Sequence, residues 1–201
     1  SPGDQQRPEV IFDGINYFVA WEDFRNGNFD IYGQIVSTAG ALMGSDIGIA
    51  TALHDQDRPR ISFDGTSYFV AWTDFRIGTG YDIYGQRVTT SGLLLGSEFG
   101  IVTTGEYTDV SQVLFNGDNR YMVLFNNEDP DSYDVYGQFV TTSGVLSGGP
   151  FIISNNSYIE QRPRMAFDGT NYLAVWGENR NGTDYDIYGQ LISGGITNTP
   201  T

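Results

Sequence analysis

The chain has 201 residues, of which 25 are Asp or Glu and 10 are Lys or Arg, giving a formal net charge of −15, and it has no cysteine. The lack of cysteine excludes disulfides and thiolate metal sites, and the negative charge disfavours nucleic acid and anionic membranes as partners. No apolar run approaches the ~20 residues that a membrane-spanning helix needs, so we expect no membrane insertion.

One five-residue stretch, Asp-Ile-Tyr-Gly-Gln with Val once in place of Ile, recurs four times. The copies begin at Asp30, Asp82, Asp134 and Asp186, so the period is 52 residues. A fixed period of this size indicates an array of one supersecondary unit. We therefore expect one domain, residues 1–201, made of repeats at about 5–54, 55–106, 107–158 and 159–201.

Each repeat opens with a short strand that leads into an Asp-Gly or Asn-Gly turn. The predicted first strands are 9–12, 60–63, 112–115 and 164–167. Asp-Gly and Asn-Gly between apolar runs predict a hairpin, because these residues tolerate positive φ. The second strands follow at 17–21, 68–72, 121–125 and 172–176. They are apolar on both faces and therefore need cover on both sides.

The third strand of each repeat carries the five-residue stretch and continues to Val36, Val88, Val140 or Ile192. A glycine turn and a fourth short strand follow, and no stretch shows helical periodicity. Four antiparallel strands in each repeat, apolar on both faces, are typical of a propeller blade. The sequence therefore predicts an all-β protein, a four-bladed β-propeller built from four repeats of four antiparallel strands.

The fourth repeat departs from this pattern after Leu191-Ile192, where the usual turn is missing. Its outer strand is expected to be short or absent. The ends of the chain, Ser1-Pro2-Gly3 and the Thr- and Pro-containing residues 197–201, are typical of a linker. We therefore expect the domain to be one propeller unit of a longer tandem protein.

The run of motifs from Phe63-Asp64-Gly65 through Tyr68 to Trp72 and on to Asp82–Gln86 appears most fully in the second repeat. It is similar to repeats found in tandem β-propellers of large secreted bacterial and archaeal proteins. With four blades the shape would be similar to hemopexin-like propellers, although no hemopexin motif is present. The resemblance implies a secreted or cell-surface protein with a structural or interaction role, and it implies no enzyme activity.

Arginines and carboxylates recur together in three of the repeats. An Arg-Pro pair precedes the first strand, and an acid is followed two residues later by Arg after the second strand. Both features are lost in the third repeat, which suggests that they touch. The sequence thus predicts a structural Arg–carboxylate network, with ligand binding as the alternative. Its members are Arg7, Asp23, Arg25, Arg58, Asp74, Arg76, Arg162, Glu178 and Arg180.

Two further repeated sets allow a binding function. The four aspartates Asp30, Asp82, Asp134 and Asp186 could bind Ca²⁺, which takes oxygen ligands, or could cap their own loops. Four tyrosines could form a sugar-binding platform or pack between blades. They are Tyr32, Tyr84, Tyr136 and Tyr188.

Few residues indicate other chemistry. Asn155 and Asn181 begin short sequences that fit the N-glycosylation pattern. His54 is the only histidine, and nothing near it in the sequence supports a catalytic triad. The many carboxylates offer pairs for glycoside hydrolysis, but no repeat carries a strongly elaborated loop.

These observations predict a non-catalytic extracellular structural or interaction module. It would be one propeller unit of a tandem-repeat or fibre-forming surface protein, with copies of itself, neighbouring propeller units or glycans as partners. The alternative is a calcium-dependent or lectin-like carbohydrate-binding propeller, and the second alternative is a propeller glycosidase. The main hypothesis expects no enzyme activity and no cofactor other than Ca²⁺.

Overall fold

The computed structural model describes residues 3–129, 132–180 and 182–194. Within these ranges the secondary structure consists of strands and turns, arranged in four antiparallel sheets. The described residues include no helix long and apolar enough to cross a membrane. The prediction of an all-β fold with four blades is confirmed.

Each blade is a meander of strands that are consecutive in the chain. Blade 1 contains β1 (Gln5–Phe12), β2 (Asn16–Asp23), β3 (Asp30–Ser37) and β4 (Leu42–Ala50). Blade 2 contains β5 (Gln56–Phe63), β6 (Ser67–Asp74), β7 (Asp82–Thr89) and β8 (Leu94–Val102). Blade 3 contains β9 (Tyr107–Phe115), β10 (Arg120–Asp129), β11 (Ser132–Thr141) and β12 (Leu146–Ser154). Blade 4 contains β13 (Glu160–Phe167), β14 (Asn171–Glu178) and β15 (Asp186–Ser193).

The first strand of each blade is longer than the sequence predicts. In blades 1, 2 and 4 it begins before the Arg-Pro pair, because the chain passes that pair as a β-bulge and then resumes its pairing. The bulged arginines Arg7, Arg58 and Arg162 have φ of 49°, 54° and 52°. This left-handed backbone is costly for a residue with a side chain, and a bulge re-aims the side chain that it carries.

The first strands β1, β5, β9 and β13 lie beside one another in that order, around the axis of the propeller. Apolar clusters fill the three spaces between successive blades. Between blades 1 and 2, for example, the rings of Phe18 and Tyr68 stack with their centroids 4.4 Å apart. The second strands β6 and β10 therefore contribute one face to the cluster before them and the other to the cluster after them, as their two apolar faces predict, whereas β2 and β14 contribute one face each.

The glycine in the repeated five-residue stretch has a steric reason in blades 1 to 3. A Cβ atom on Gly85 would lie 2.7 Å from the ring of Phe69 and 2.9 Å from Ile101. A Cβ on Gly33 would meet Phe18 at 2.8 Å, and one on Gly137 would meet Phe151 at 2.5 Å. The third strand thus uses glycine so that an aromatic ring can lie against its backbone.

The two end faces of the blade series are exposed. Ile83 in blade 2 is fully buried, whereas Ile187, at the same repeat position in blade 4, is 78% exposed. On blade 1, Val10 and Phe12 are 63% and 47% exposed. Among the described residues, blade 4 makes no extensive strand contact with blade 1.

Some expectations fall outside the described residues. The linker expected at the chain ends involves Ser1, Pro2 and residues 197–201, which lie outside them, and so does Asn181. In the described part of blade 4 the sheet has three strands.

Candidate functional site

A polar cavity of about 340 Å³ lies at the axis, where the first strands of blades 2, 3 and 4 begin. Four arginines line it together with two carboxylates, and β13 of blade 4 contributes much of its wall. The lining residues are Arg58, Arg60, Asp109, Val110, Ser111, Asn126, Tyr133, Glu160, Gln161, Arg162 and Arg164. The β-bulges place Arg58 and Arg162 at this position. Most of the other lining residues come from β5, β9 and β13, and Asn126 and Tyr133 come from β10 and β11.

Asp109 joins blades 2 and 3 at the cavity wall. Its carboxylate forms an ion pair with the guanidinium of Arg58 and accepts a hydrogen bond of 3.1 Å from Oγ1 of Thr73. Burial raises the pKa of Asp109, while Arg58 and the hydrogen bond from Thr73 oppose that rise. The carboxylate is therefore largely shielded from water and still has a cation to stabilise its charged form.

Asp57 borders a smaller cavity that adjoins the first one at Arg58 and Asp109. This second cavity has a volume of about 100 Å³ and is lined in addition by Thr73, Thr108 and two tyrosines, Tyr81 and Tyr107. Burial raises the pKa of Asp57 to about 6, and the nearby charge of Glu22 adds to the rise. Asp57 therefore keeps its proton at mildly acidic pH.

Glu160 is a buried carboxyl group at the start of β13. Its Oε1 accepts hydrogen bonds from Oγ of Ser154 and, at 2.7 Å, from Nδ2 of Asn156. Its Oε2 accepts a bond of 3.2 Å from the backbone N–H of Val135. Burial raises the pKa of Glu160 to about 7, and the charge of Glu178 contributes. These bonds join blades 3 and 4 and hold the carboxyl group in place.

Arg60 contacts both of the blades that are adjacent to its own. Its guanidinium pairs with Glu9 of blade 1 at 3.0 Å and donates from Nε to the backbone oxygen of Ser111 at 2.8 Å. Burial lowers its pKa, and the neighbouring charge of Glu9 opposes that effect. Arg164, at the same position in blade 4, donates to the same oxygen of Ser111 at 3.3 Å.

The structure places the two halves of the predicted Arg–carboxylate network in separate contacts. Within each loop the acid pairs with the arginine two residues later, as in Asp23–Arg25 and Asp74–Arg76, both at 2.6 Å, and in Glu178–Arg180. Of the Arg-Pro arginines, Arg7 pairs with Glu22 and Arg58 with Asp109. Arg162 has no hydrogen bond or ion pair from its guanidinium among the described residues. These contacts show where the residues lie, and a role in tying the blades together stays a prediction.

The acids and arginines of these loops also contact tryptophan and tyrosine residues, which the sequence pattern did not indicate. The indole N–H groups of Trp21, Trp72 and Trp176 donate to the carboxylates of Asp23, Asp74 and Glu178 at 3.0, 2.8 and 3.0 Å. The guanidinium groups of Arg25, Arg76 and Arg180 lie over the rings of Tyr32, Tyr84 and Tyr188 at 4.0, 3.8 and 3.7 Å. One face of each of these rings is thus covered by a cation, which argues against an open sugar platform there.

Blade 3 lacks this unit, because Phe125 and Asn127 replace the Trp and the acid. Tyr136 there stacks on Phe125 with ring centroids 5.6 Å apart. The acid–Arg half of the predicted network is thus a local unit within a blade, and Arg7 and Arg58 pair with carboxylates outside it.

The four repeated aspartates do not form one site. Asp30 accepts hydrogen bonds from Asn26 and Asn28 at 2.5 and 3.0 Å, and Asp82 accepts from the backbone N–H of Gly105 at 3.1 Å. Asp134 also has an interaction partner, whereas Asp186 is exposed. Among the described residues no three His, Asp or Glu side chains lie together as metal ligands would. Calcium binding stays a prediction.

Two other expectations can be placed. Asn155 is exposed in the connection that follows β12, and its glycosylation stays a prediction. His54 is exposed and packs edge-on against Phe75, with ring centroids 6.1 Å apart, and it is not one of the residues that line the axial cavity.

Sequence reasoning missed Asp57, Asp109 and Glu160. Each lies at or next to the start of a first strand, within three residues of the bulge position. A useful signal is that the first strands are apolar near their ends at the Asp-Gly turns but carry charged residues at their beginnings. The first strands of all blades in a propeller begin at the same end of the axis. Charged residues at these positions therefore lie close together.

No family model matches the chain, and no curated protein matches it. Solved structures do match it. An endo-arabinase from Bacteroides thetaiotaomicron has a TM-score of 0.60 at 13% identity, over 94% of this chain and 76% of that chain. An α-L-arabinofuranosidase from Lactobacillus brevis has a TM-score of 0.54 at 14% identity, over 93% and 72%. A neuraminidase-like protein of A/little yellow-shouldered bat/Guatemala has a TM-score of 0.61 at 9% identity, over 92% and 59%.

These structures confirm the propeller fold and correct one expectation. The prediction that the chain is not an enzyme is wrong on this comparison, because several of the similar structures are glycoside hydrolases. That prediction assumed that an enzyme would have one repeat with a longer loop than the others. In this chain, carboxyl groups meet near the axis because they lie on the first strands of the blades. At these identities the likeness shows the fold, so the activity has to be argued from the chain's own residues.

Proposed function

We propose that the chain is a propeller glycosidase that hydrolyses a glycan where the axial cavity adjoins the smaller cavity lined by Asp57 and Asp109. The observation that carries the proposal is the pair Asp57 and Asp109, which line adjoining cavities and both have raised pKa values. Glycoside hydrolysis generally uses two carboxyl groups, one protonated and one ionised. Surroundings that shift the pKa values of two carboxyl groups to different extents allow one to be protonated while the other is ionised.

Asp57 supplies the general acid in this mechanism. Its pKa of about 6 keeps a proton available at mildly acidic pH. That proton passes to the glycosidic oxygen as the bond from this oxygen to the anomeric carbon breaks. The leaving sugar therefore departs as a neutral alcohol.

Asp109 acts on the opposite side of the bond. Its carboxylate, ion-paired with Arg58, stabilises the positive charge that develops on the sugar ring. It also takes a proton from the water that adds to the anomeric carbon. One water is consumed, and the products are a hemiacetal and an alcohol.

The test is hydrolysis by the purified chain, measured as new reducing ends on arabinan and as release of nitrophenol from nitrophenyl glycosides. Asp57→Asn and Asp109→Asn are each expected to lower the rate by a factor of about 10²–10⁴, the usual contribution of a positioned acid or base. Asp118→Asn is the control, since Asp118 is exposed beside the Asn116-Gly117 turn.

Absence of hydrolysis over the whole panel would refute the proposal, and so would hydrolysis that persists in both cavity variants. Loss in the cavity variants but not in Asp118→Asn supports it. Secretion of the protein and contact with neighbouring copies stay predictions that this test does not address.

A further inference from the structure

Four of the ten cations of this acidic protein lie together in one cavity. Its ten basic residues are all arginines, and the formal net charge is −15. Four of these arginines, Arg58, Arg60, Arg162 and Arg164, line the axial cavity. A positive cavity within a negative molecule attracts an anionic ligand more strongly than its surroundings do.

Two of the four arginines have carboxylate partners and two have none. Arg58 pairs with Asp109, and Arg60 pairs with Glu9. Arg164 donates to the backbone oxygens of Pro163 and Ser111, and among the described residues Arg162 donates to nothing. Glu160 also lines the cavity, but it is held by Ser154 and Asn156 instead of by these arginines.

The repeats explain why Arg162 is unpaired. Arg7, at the same position in blade 1, pairs with Glu22, which lies on the neighbouring strand β2. The residue in the corresponding register of blade 4 is Gly177, which has no side chain to offer. In blade 2 that register holds Thr73, and Arg58 pairs with Asp109 of the next blade instead. Blade 4 has no following blade in the described chain, so Arg162 lacks both kinds of partner.

Arg162 and Arg164 also border a third space, which is larger than the axial cavity. A cleft of about 570 Å³ runs along the exposed face of blade 4 and shares Gln161, Arg162 and Arg164 with the axial cavity. Its other lining residues are Val175, Trp176, Gly177, Tyr185 and Ile187. Tyr185 accepts a hydrogen bond of 3.0 Å from Gln161. Two guanidinium groups without a carboxylate partner among the described residues therefore lie between a polar cavity and a cleft with apolar and aromatic walls.

We infer that the site takes an acidic glycan, with a sugar carboxylate bound by Arg162 and Arg164 and the apolar face of a sugar ring against the cleft. A planar guanidinium matches a carboxylate with two parallel hydrogen bonds. Small-molecule sites commonly combine apolar walls with a few convergent polar groups. The acidic glycan is then the substrate of the proposed glycosidase, and this part of the inference rests on that proposed function.

The test is calorimetric binding of tri-galacturonic acid and of its methyl ester, which is neutral and otherwise matched. The titrations use the Asp57→Asn variant, so that no substrate is consumed. We expect the acid to bind at least about tenfold more tightly than the ester, as charge-assisted hydrogen bonds would give. Arg162→Gln should remove most of this preference and leave the affinity for the ester unchanged, whereas Arg162→Lys should retain part of it.

The outcomes separate the two proposals. Equal affinity for acid and ester, or a preference that survives Arg162→Gln, overturns the acidic-glycan site even if neutral glycans are hydrolysed. A preference that depends on Arg162 supports the site even if no glycan in the panel is hydrolysed, and the glycosidase proposal then fails alone. Because Arg162 is exposed and makes no described side-chain bond, its replacement is not expected to unfold the chain.

Discussion

The indole N–H of Trp72 donates to Oδ2 of Asp74 at 2.8 Å, and the guanidinium of Arg76 pairs with the same oxygen at 2.6 Å. Asp74 and Trp72 are both fully buried. A buried carboxylate of this kind is stable because its oxygens are occupied by hydrogen-bond donors and its charge is balanced. The same arrangement recurs in blades 1 and 4, so it is a property of the repeat and not of one blade.

We expect Asp74→Ala to destabilise the protein by about 3 kcal/mol, because it leaves a buried indole N–H and a guanidinium without their acceptor. Glu98→Ala is the matched control. Glu98 is the other partner of Arg76, at 2.6 Å, and its side chain is 32% exposed. A partly exposed pair should contribute less than about 1 kcal/mol. Urea unfolding of both variants measures the difference, and equal losses would contradict the buried role of Asp74.

The glycine of the repeated stretch provides a second prediction. A Cβ on Gly85 would lie 2.7 Å from Phe69, so Gly85→Ala should overpack the space between blades 2 and 3 and cost about 1–3 kcal/mol. Gly149 in β12 has open space around the position of its Cβ and no positive φ. Gly149→Ala should therefore be neutral or stabilise by up to about 1 kcal/mol. A stable Gly85→Ala protein would show that the ring moves aside at little cost.

The period and turn chemistry are sufficient to predict the blades, because each blade is made of strands that are neighbours in the chain. Asp13, for example, accepts the backbone N–H groups of Ile15 and Asn16 at 2.7 and 2.6 Å, which is the local turn that Asp-Gly predicts. The axial site could not be predicted in this way. Asp109 and Arg58 are separated by one whole repeat, and they meet only because of the blade stacking and the bulge at Arg58.

Local repetition was also misleading in one respect. The repeat suggested that Arg7, Arg58 and Arg162 share one role, yet Arg7 pairs with Glu22, Arg58 pairs with Asp109, and the guanidinium of Arg162 has no partner among the described residues. The residue opposite the bulge decides this, and it changes from Glu22 to Thr73 to Gly177 without altering the strand pattern. Function in this fold therefore depends on substitutions that the periodicity does not reveal.

The exposed end faces give a third prediction. Ile83→Ala should cost about 2–5 kcal/mol, because Ile83 is fully buried between blades 2 and 3. Ile187→Ala, at the same repeat position in blade 4, should cost less than about 0.5 kcal/mol, since Ile187 is 78% exposed. Thermal or urea unfolding of the two variants provides the comparison. A large loss for Ile187→Ala would mean that the face of blade 4 is covered in solution.

The last prediction concerns the pH dependence of stability. The pKa of Glu160 is raised from 4.5 to about 7, because its burial disfavours the charged form. A carboxyl whose pKa is raised by folding stabilises the folded state fully below its ordinary pKa, and this contribution is lost as the pH rises through the folded-state value. We therefore expect wild-type stability to fall between about pH 4.5 and pH 7 by up to about 3 kcal/mol on account of Glu160.

Glu160→Gln removes the titrating group and keeps one acceptor oxygen, which can accept from Ser154 and Asn156 but not also from the backbone N–H of Val135. Its stability should be lower by a constant amount for the lost bond and should depend less on pH over this interval. Urea unfolding at a series of pH values from 4.5 to 8 measures the difference, since each midpoint yields a free energy of unfolding. Asp118→Asn, a change on the exposed turn, should follow the wild-type curve. If Glu160→Gln also follows that curve, Glu160 ionises in the folded protein as easily as in the unfolded chain, and the bonds from Ser154 and Asn156 outweigh its burial.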